Sequence, residues 1–295
     1  MITDVYAVTI RATTLCPIVH VGYRMALRIT SEYCSEEGKL GEDEIRLDKS
    51  RVKFILRRKI RGMAGRKRLG SLWLVLHPVL LSLVYLFVFT VIRSNPNSVN
   101  IFVGISMFNI FSSSIKSGVN SVSDFSGGIK GERVRTRVVS KAMLNYRVVD
   151  VLLQSSGVSV ILFCFLGVDI IGIIFFTLLC LVVGIMAELF ALNLSLAVRR
   201  VPDISNFIDY SLMLMFFGSP VLYPMSMTSG MHRTINEYNP FAFFVEGARK
   251  FVDVDSVIDE ILGPEAFAIL LVIGILSMRG YHTLDRLRWE VSSWS

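Results

Sequence analysis

Glu188 stands inside an apolar run, Ile170–Val198, with the sequence IIGIIFFTLLCLVVGIMAELFALNLSLAV. An ionised carboxylate near the centre of a bilayer costs about 2.5–3.5 kcal/mol, so such an acid needs a partner or water. Three solutions are open: a place in a translocation path, a partner across a subunit interface, or an internal one, either protonated or hydrogen-bonded to Asn193 or Ser195. Asp150 and Asp209 fall near the ends of apolar runs, where an acid at a helix N-terminus is favoured by the helix dipole, and they read as caps.

Other chemistry is excluded by pattern. No GxxxxGK[ST] phosphate loop occurs, the Gly127-Gly128 pair included, so the chain is not expected to hydrolyse nucleotide by itself. No Gly-x-Ser-x-Gly elbow is present. His20, His77, His232 and His282 are too scattered to suggest a metal site. Cys16, Cys34, Cys164 and Cys180 show no CxxC spacing and read as unpaired thiols.

The elements that position these residues are long and apolar. Leu69 to Ile92 is 24 residues without a charge and follows the basic cluster Arg66-Lys67-Arg68. A hydrocarbon core about 30 Å thick needs about 20 apolar residues at roughly 1.5 Å rise each. The composition fits several spans: 53% hydrophobic, 19% charged, mean hydropathy +0.57 over 295 residues. Six are expected, at about 71–92, 100–115, 148–167, 170–198, 207–225 and 261–278. The second is the weakest, carrying Asn109 and Ser112 to Ser114, a polar face better suited to a cavity than to lipid. The fifth contains Gly218, Pro220 and Pro224 and should bend or unwind near its end.

With six spans, 27 of the 31 Lys and Arg residues fall on one side and four on the other, Arg93, Arg233, Arg249 and Lys250. The positive-inside rule then places both termini in the cytoplasm. Residues 1–49 read as a cytoplasmic lead-in, polar and acidic from 31 on, and residues 1–22 lack the apolar core of a signal peptide. From Ser50, Val52, Leu56, Ile60 and Met63 recur at helical spacing among basic residues, which suits an amphipathic helix on the membrane surface. Residues 50–280 form the membrane domain, and 281–295 a cytoplasmic tail.

Leu69-Gly70-Ser71-Leu72-Trp73, His77-Pro78, Val84-Tyr85 and Val88-Phe89 resemble the LGxLWxxLxPxxxxxVYxxVF signature of the ABC-2 exporter permeases. Ser219-Pro220-Val221-Leu222-Tyr223-Pro224, then Asn239-Pro240 and Glu246-Gly247-Ala248-Arg249, are similar to that family's SPxxYP and NPxxxxxExxR elements. The subgroup most resembled exports O-antigen, capsule or teichoic acid polymers. The resemblance implies an all-α integral membrane fold with six transmembrane helices, an N-terminal amphipathic interface helix and re-entrant external gate helices. It also implies a homodimer joined to a separate ABC ATPase that binds ATP and Mg, with no cofactor and no catalytic or metal site in this chain, which is then a transport subunit and not an enzyme.

On that resemblance, Trp73, Tyr85, Phe102, Phe108 and Phe111 would line a channel for lipid-linked polysaccharide. Pro220, Tyr223, Pro224, Asn239 and Pro240 would shape an external gate. Lys130, Glu132, Arg133, Arg135 and Arg137 would couple to the ATPase, although the stretch GIKGERVRTRVVSKAMLNYR departs from the more apolar KxxFPRE-like sequence of relatives. The location is the cytoplasmic (inner) membrane, among membrane lipid, with no nucleic acid partner. The competing readings are an ABC-2 permease for small hydrophobic drugs or lipids and, in a different class, an ion-coupled transporter built on Glu188.

Overall fold

A computed structural model describes residues 42–64, 72–88, 98–128, 136–252, 256–261 and 263–292. The described residues are helical or irregular. Contacts divide the chain between Lys49 and Ser50, and Ser50–Ser295 holds the helical bundle.

Helix α1 (Glu42–Ala64) begins before the apolar period does. Residues 42–49 of the lead-in are therefore helical. Along its second half Val52, Ile55, Leu56, Lys59 and Ile60 are half-buried while Arg51, Lys53, Arg57, Arg58 and Arg61 are exposed, the two-faced pattern that the spacing predicts. Helix α2 (Leu72–Phe87) follows, then three helices of 31 residues each: α3 (Ser98–Gly128), α4 (Thr136–Leu166) and α5 (Ile170–Arg200).

The segment that looks weakest in sequence is the centre of the fold. Helix α3 packs most extensively, against α5, and two thirds of its most apolar stretch is buried. Two of its buried serines are satisfied within the helix. The Ser106 hydroxyl donates to the Phe102 carbonyl at 2.7 Å, and Ser114 to Ile110 at 2.7 Å. Each hydroxyl is thereby satisfied within its own helix, which lets the small side chain sit at a close helix contact.

Close contact also explains two glycines. A Cβ on Gly118 of α3 would lie 2.5 Å from the Glu188 carbonyl oxygen of α5. One on Gly280 of the last helix would lie 1.6 Å from the Leu189 carbonyl oxygen. Beside Gly280, the Asn193 amide of α5 donates to the Leu276 carbonyl at 2.8 Å, an interhelical bond in place of the expected one to Glu188.

Helix α6 (Asp203–Gly218) stops at Gly218, where Ser219 turns extended (φ −90°, ψ 162°) ahead of Pro220. The chain continues through turns and a single 3-10 turn at Met225–Met227, then α7 (Gly230–Glu237), α8 (Pro240–Phe251), α9 (Ile258–Ile261) and α10 (Pro264–Ser292). Four stretches are long and apolar enough to cross a bilayer: Val99–Ser121, Lys141–Cys164, Ile170–Ser195 and Pro264–His282. Helices α2 and α6, with 16 described residues each, reach about 24 Å, so the described residues supply four of the six expected spans at full length.

Replacing Gly280 by Ala should lower the stability of the detergent-solubilised protein by about 1–3 kcal/mol, because backbone and not a flexible side chain occupies the space. Thermal unfolding of the variant checks this; an unchanged midpoint would mean that α5 and α10 do not approach as described.

Candidate functional site

Two buried arginines organise the polar interior. The first is Arg147, 1% exposed, on α4. Its Nε donates to the Glu188 carboxylate of α5, its Nη1 to Asp150 Oδ2 at 2.7 Å, and its Nη2 to the Ser113 carbonyl of α3 at 3.3 Å. Gln154 donates to the same Asp150 oxygen at 3.0 Å. Glu188 thus has a partner not singled out in the sequence, Arg147. Neither Asn193 nor Ser195 holds it, since the Ser195 hydroxyl bonds back to Leu192.

Asp150 is likewise no cap. It lies 14 residues inside α4 and is 5% exposed, so its role is to neutralise Arg147 from the same helix face at i, i+3. Asp209 sits in the second turn of α6, past the first-turn acid Asp203, and pairs with Lys116 of α3 at 2.9 Å. Next to Arg147, the Tyr146 ring receives the Lys59 ammonium of α1 at 4.6 Å from its centroid, a cation–π contact between the surface helix and α4.

The second arginine, Arg249 of α8, is fully buried. It donates to Glu246 Oε1 at 2.5 Å and to the carbonyls of Pro220 at 2.7 Å, Tyr223 at 3.2 Å and Asn100 at 3.3 Å. The other Glu246 oxygen accepts the Val257 N–H at 3.1 Å. The ExxR spacing therefore ties the Ser219–Pro224 turn to the start of α3 and to the segment before α9. Prolines in that turn free carbonyls from helical pairing, and the guanidinium, with five donors in a fixed fork, collects them.

The proposed gate residues do come together. The Gly218 carbonyl, at the open end of α6, accepts from Tyr223 Oη at 3.0 Å and Asn236 Nδ2 at 3.1 Å, and meets His232 Nε2 at 3.1 Å. Tyr223 and His232 also touch each other at 2.9 Å. Asn239 caps α8 by accepting the Phe241 N–H at 3.0 Å, with Pro240 in the first turn, and donates to Ser219 Oγ at 2.8 Å. His232 and Asn236 join this cluster without having been singled out in sequence. At its far side the exposed Tyr238 phenol is held above its ordinary pKa by a hydrogen bond to Glu265 at the start of α10.

The aromatic candidates separate. Phe102 is fully enclosed within the protomer. Phe108, 8% exposed, packs edge-on to Phe216 (4.9 Å) and Phe241 (5.8 Å), and Phe111 lies 4.7 Å from Phe241. Phe108 and Phe111 hold α3 to α8, and Phe108 also holds it to α6. Trp73 is 36% exposed on α2. The Tyr85 side chain, Lys130, Glu132, Arg133, Arg135 and the Arg137 side chain lie outside the described residues. An aromatic face that was not anticipated runs along α6, where Phe207, Tyr210, Leu214 and Phe217 are 73%, 73%, 76% and 56% exposed at i, i+3, i+7 and i+10.

A family model described as ABC-2 type transporter matches residues 50–252, well over half of the chain. That range contains α1 from Ser50, both arginine clusters and the Gly218 hub. No curated protein matches the chain.

Arg147→Met would leave Asp150 and Glu188 buried without their cation and should cost about 3–5 kcal/mol, whereas Glu188→Gln, which leaves Arg147 its pair with Asp150, should cost clearly less. Unfolding in detergent across the two variants measures the difference, and equal losses would deny Arg147 its shared role.

Proposed function

The chain belongs to the ABC-2 type transporter family and is a membrane subunit of an ABC transporter, and from that premise we propose that it exports a lipid-linked cell-surface polysaccharide of the O-antigen, capsule or teichoic acid type. The observation that carries the proposal is the exposed face of α6. A helix with Leu212 as its one buried residue presents Phe207, Tyr210, Leu214 and Phe217 outward. In a membrane subunit such a stripe lies against lipid or against another protein surface, and the run of rings at Phe207, Tyr210 and Phe217 favours the second. In this reading two copies face one another across it, and the polymer passes between them.

Aromatic faces suit the C–H surfaces of sugar rings, and a row of similar weak contacts lets a chain slide without settling in one deep well. Tyr210 adds a hydroxyl to that row. Of the channel aromatics expected from the sequence, Trp73 on α2 has a described side chain that is exposed. Phe102, Phe108 and Phe111 support the wall from behind.

Energy enters from a separate ATPase that holds ATP and Mg. The basic loop around Lys130 to Arg137 is its proposed docking surface, with both termini on the same cytoplasmic side of the inner membrane. The Gly218 hub, joining the end of α6 to α7 and α8, is the proposed external gate. If α6 shifts along its axis, Tyr223, His232 and Asn236 must release or follow its terminal carbonyl.

Deletion should abolish the surface polymer and leave intermediates inside the cell; accumulation of small amphiphiles with normal polymer would instead favour the drug- or lipid-exporting alternative. Phe207→Ala and Tyr210→Ala should each lower export about threefold to tenfold at unchanged membrane level, and parallel loss of protein would make them packing residues only. Alanine at Arg133, Arg135 and Arg137 should leave ATP hydrolysis running while export stops, and normal export would remove that loop from the coupling path.

A further inference from the structure

An apolar cleft of ≈ 340 Å³ separates α6 from α3 and α5. Its walls are Phe111 and Ile115 of α3, Leu194 of α5, and Ile204, Phe207, Ile208, Leu212 and Met215 of α6, with the Phe207 ring at its outer rim. The hydroxyl within it, on Ser211, already donates to the Phe207 carbonyl at 2.8 Å, so the interior offers nothing to a polar guest. At one edge stand opposite charges: Lys116, directly after Ile115, and Asp209, directly after Ile208, paired at 2.9 Å and both half-exposed.

The order of these groups along the helices is that of an amphiphile. Lys116 lies five residues from the end of the apolar stretch Val99–Ser121, and Asp209 six residues into α6. Phe111 and Met215 lie about 8 Å farther inward at helical rise, while Ile204 and Phe207 continue the apolar lining past Asp209 toward the start of α6. The ion pair thus flanks the cleft on the side nearer the start of α6, and the apolar slot runs inward from it.

We propose that this cleft is a phospholipid site, one acyl chain lying in the slot and a zwitterionic ethanolamine-phosphate headgroup exchanging into the Lys116–Asp209 pair. The match is by charge on both sides: the phosphate takes Lys116 and the ammonium takes Asp209, so neither protein charge is left alone. A half-exposed ion pair is weak and gives way to an equivalent pairing at little cost. An anionic lipid satisfies Lys116 and repels Asp209. Bound lipid would brace α6, which buries few side chains of its own, against α3 and α5. The site stands independently of what the transporter carries.

The test uses the full chain in lipid nanodiscs holding either phosphatidylethanolamine or phosphatidylglycerol with a photoreactive acyl chain, read by peptide mass spectrometry. Crosslinks to α3 and α6 near Phe111 and Leu212 are expected, about fivefold more from the ethanolamine lipid. Asp209→Asn should erase that preference, the exchange Lys116→Asp with Asp209→Lys should restore it, and Ser211→Trp, which fills the slot, should abolish labelling. The three substituted side chains, Lys116, Asp209 and Ser211, sit at exposed positions, so the fold tolerates the changes. Equal labelling by both lipids, labelling unaffected by Ser211→Trp, or crosslinks between two copies of the chain in place of lipid would each overturn the proposal.

Discussion

A guanidinium cannot shed its charge, so an arginine enclosed among helices in a membrane must be met on every side by acceptors. Arg147 and Arg249 are the two largest fully buried side chains among those described, and each is met by acceptors from two or three separate segments. Arg147 fixes α4 to α5 and α3. Arg249 fixes α8 to the turn after α6 and to the start of α3. Helix α3 is common to both, which is why the least apolar of the expected spans takes the centre: its carbonyls at Asn100 and Ser113 are two of the acceptors.

The long helices were legible in sequence because their signal is composition sustained over 20 or more residues. The end of α6 was legible as well, since Gly218, Pro220 and Pro224 forbid a regular continuation. The charge partners were not. Glu188 and Arg147 are 41 positions apart, and only the packing of α4 on α5 brings them together. A local trace existed, for Arg147, Asp150 and Gln154 recur at i, i+3 and i+7 on one helix face, a polar stripe where lipid-facing residues would be apolar.

The same limit governs the aromatics. Periodicity tells which residues share a face but not which face meets the core. Phe102, Phe108 and Phe111 look like channel residues beside polar serines, yet the serines bond within the helix and leave the face free to pack. Conversely, nothing in the apolar sequence of α6 tells that Leu212 is its one buried residue. Local charge pairs are easier to read, for Arg233, Arg249 and Lys250 find Glu237, Glu246 and Asp259 within nine residues, at 3.0, 2.5 and 2.5 Å.

Stability and mobility divide along these lines. Helices α3, α4, α5 and α10 share interhelical hydrogen bonds, glycine contacts and a buried ion cluster, and moving any one of them breaks several interactions at once. Helix α6 has one half-exposed ion pair, a few half-buried apolar residues and a ring of hydrogen bonds at its end. Exposed ion pairs and terminal hydrogen bonds exchange readily with water or lipid headgroups, whereas buried charges do not. Displacement therefore costs less at α6 than at these four helices, and the Gly218 carbonyl, held by three side chains at its end, is where such displacement would first be felt by α7 and α8.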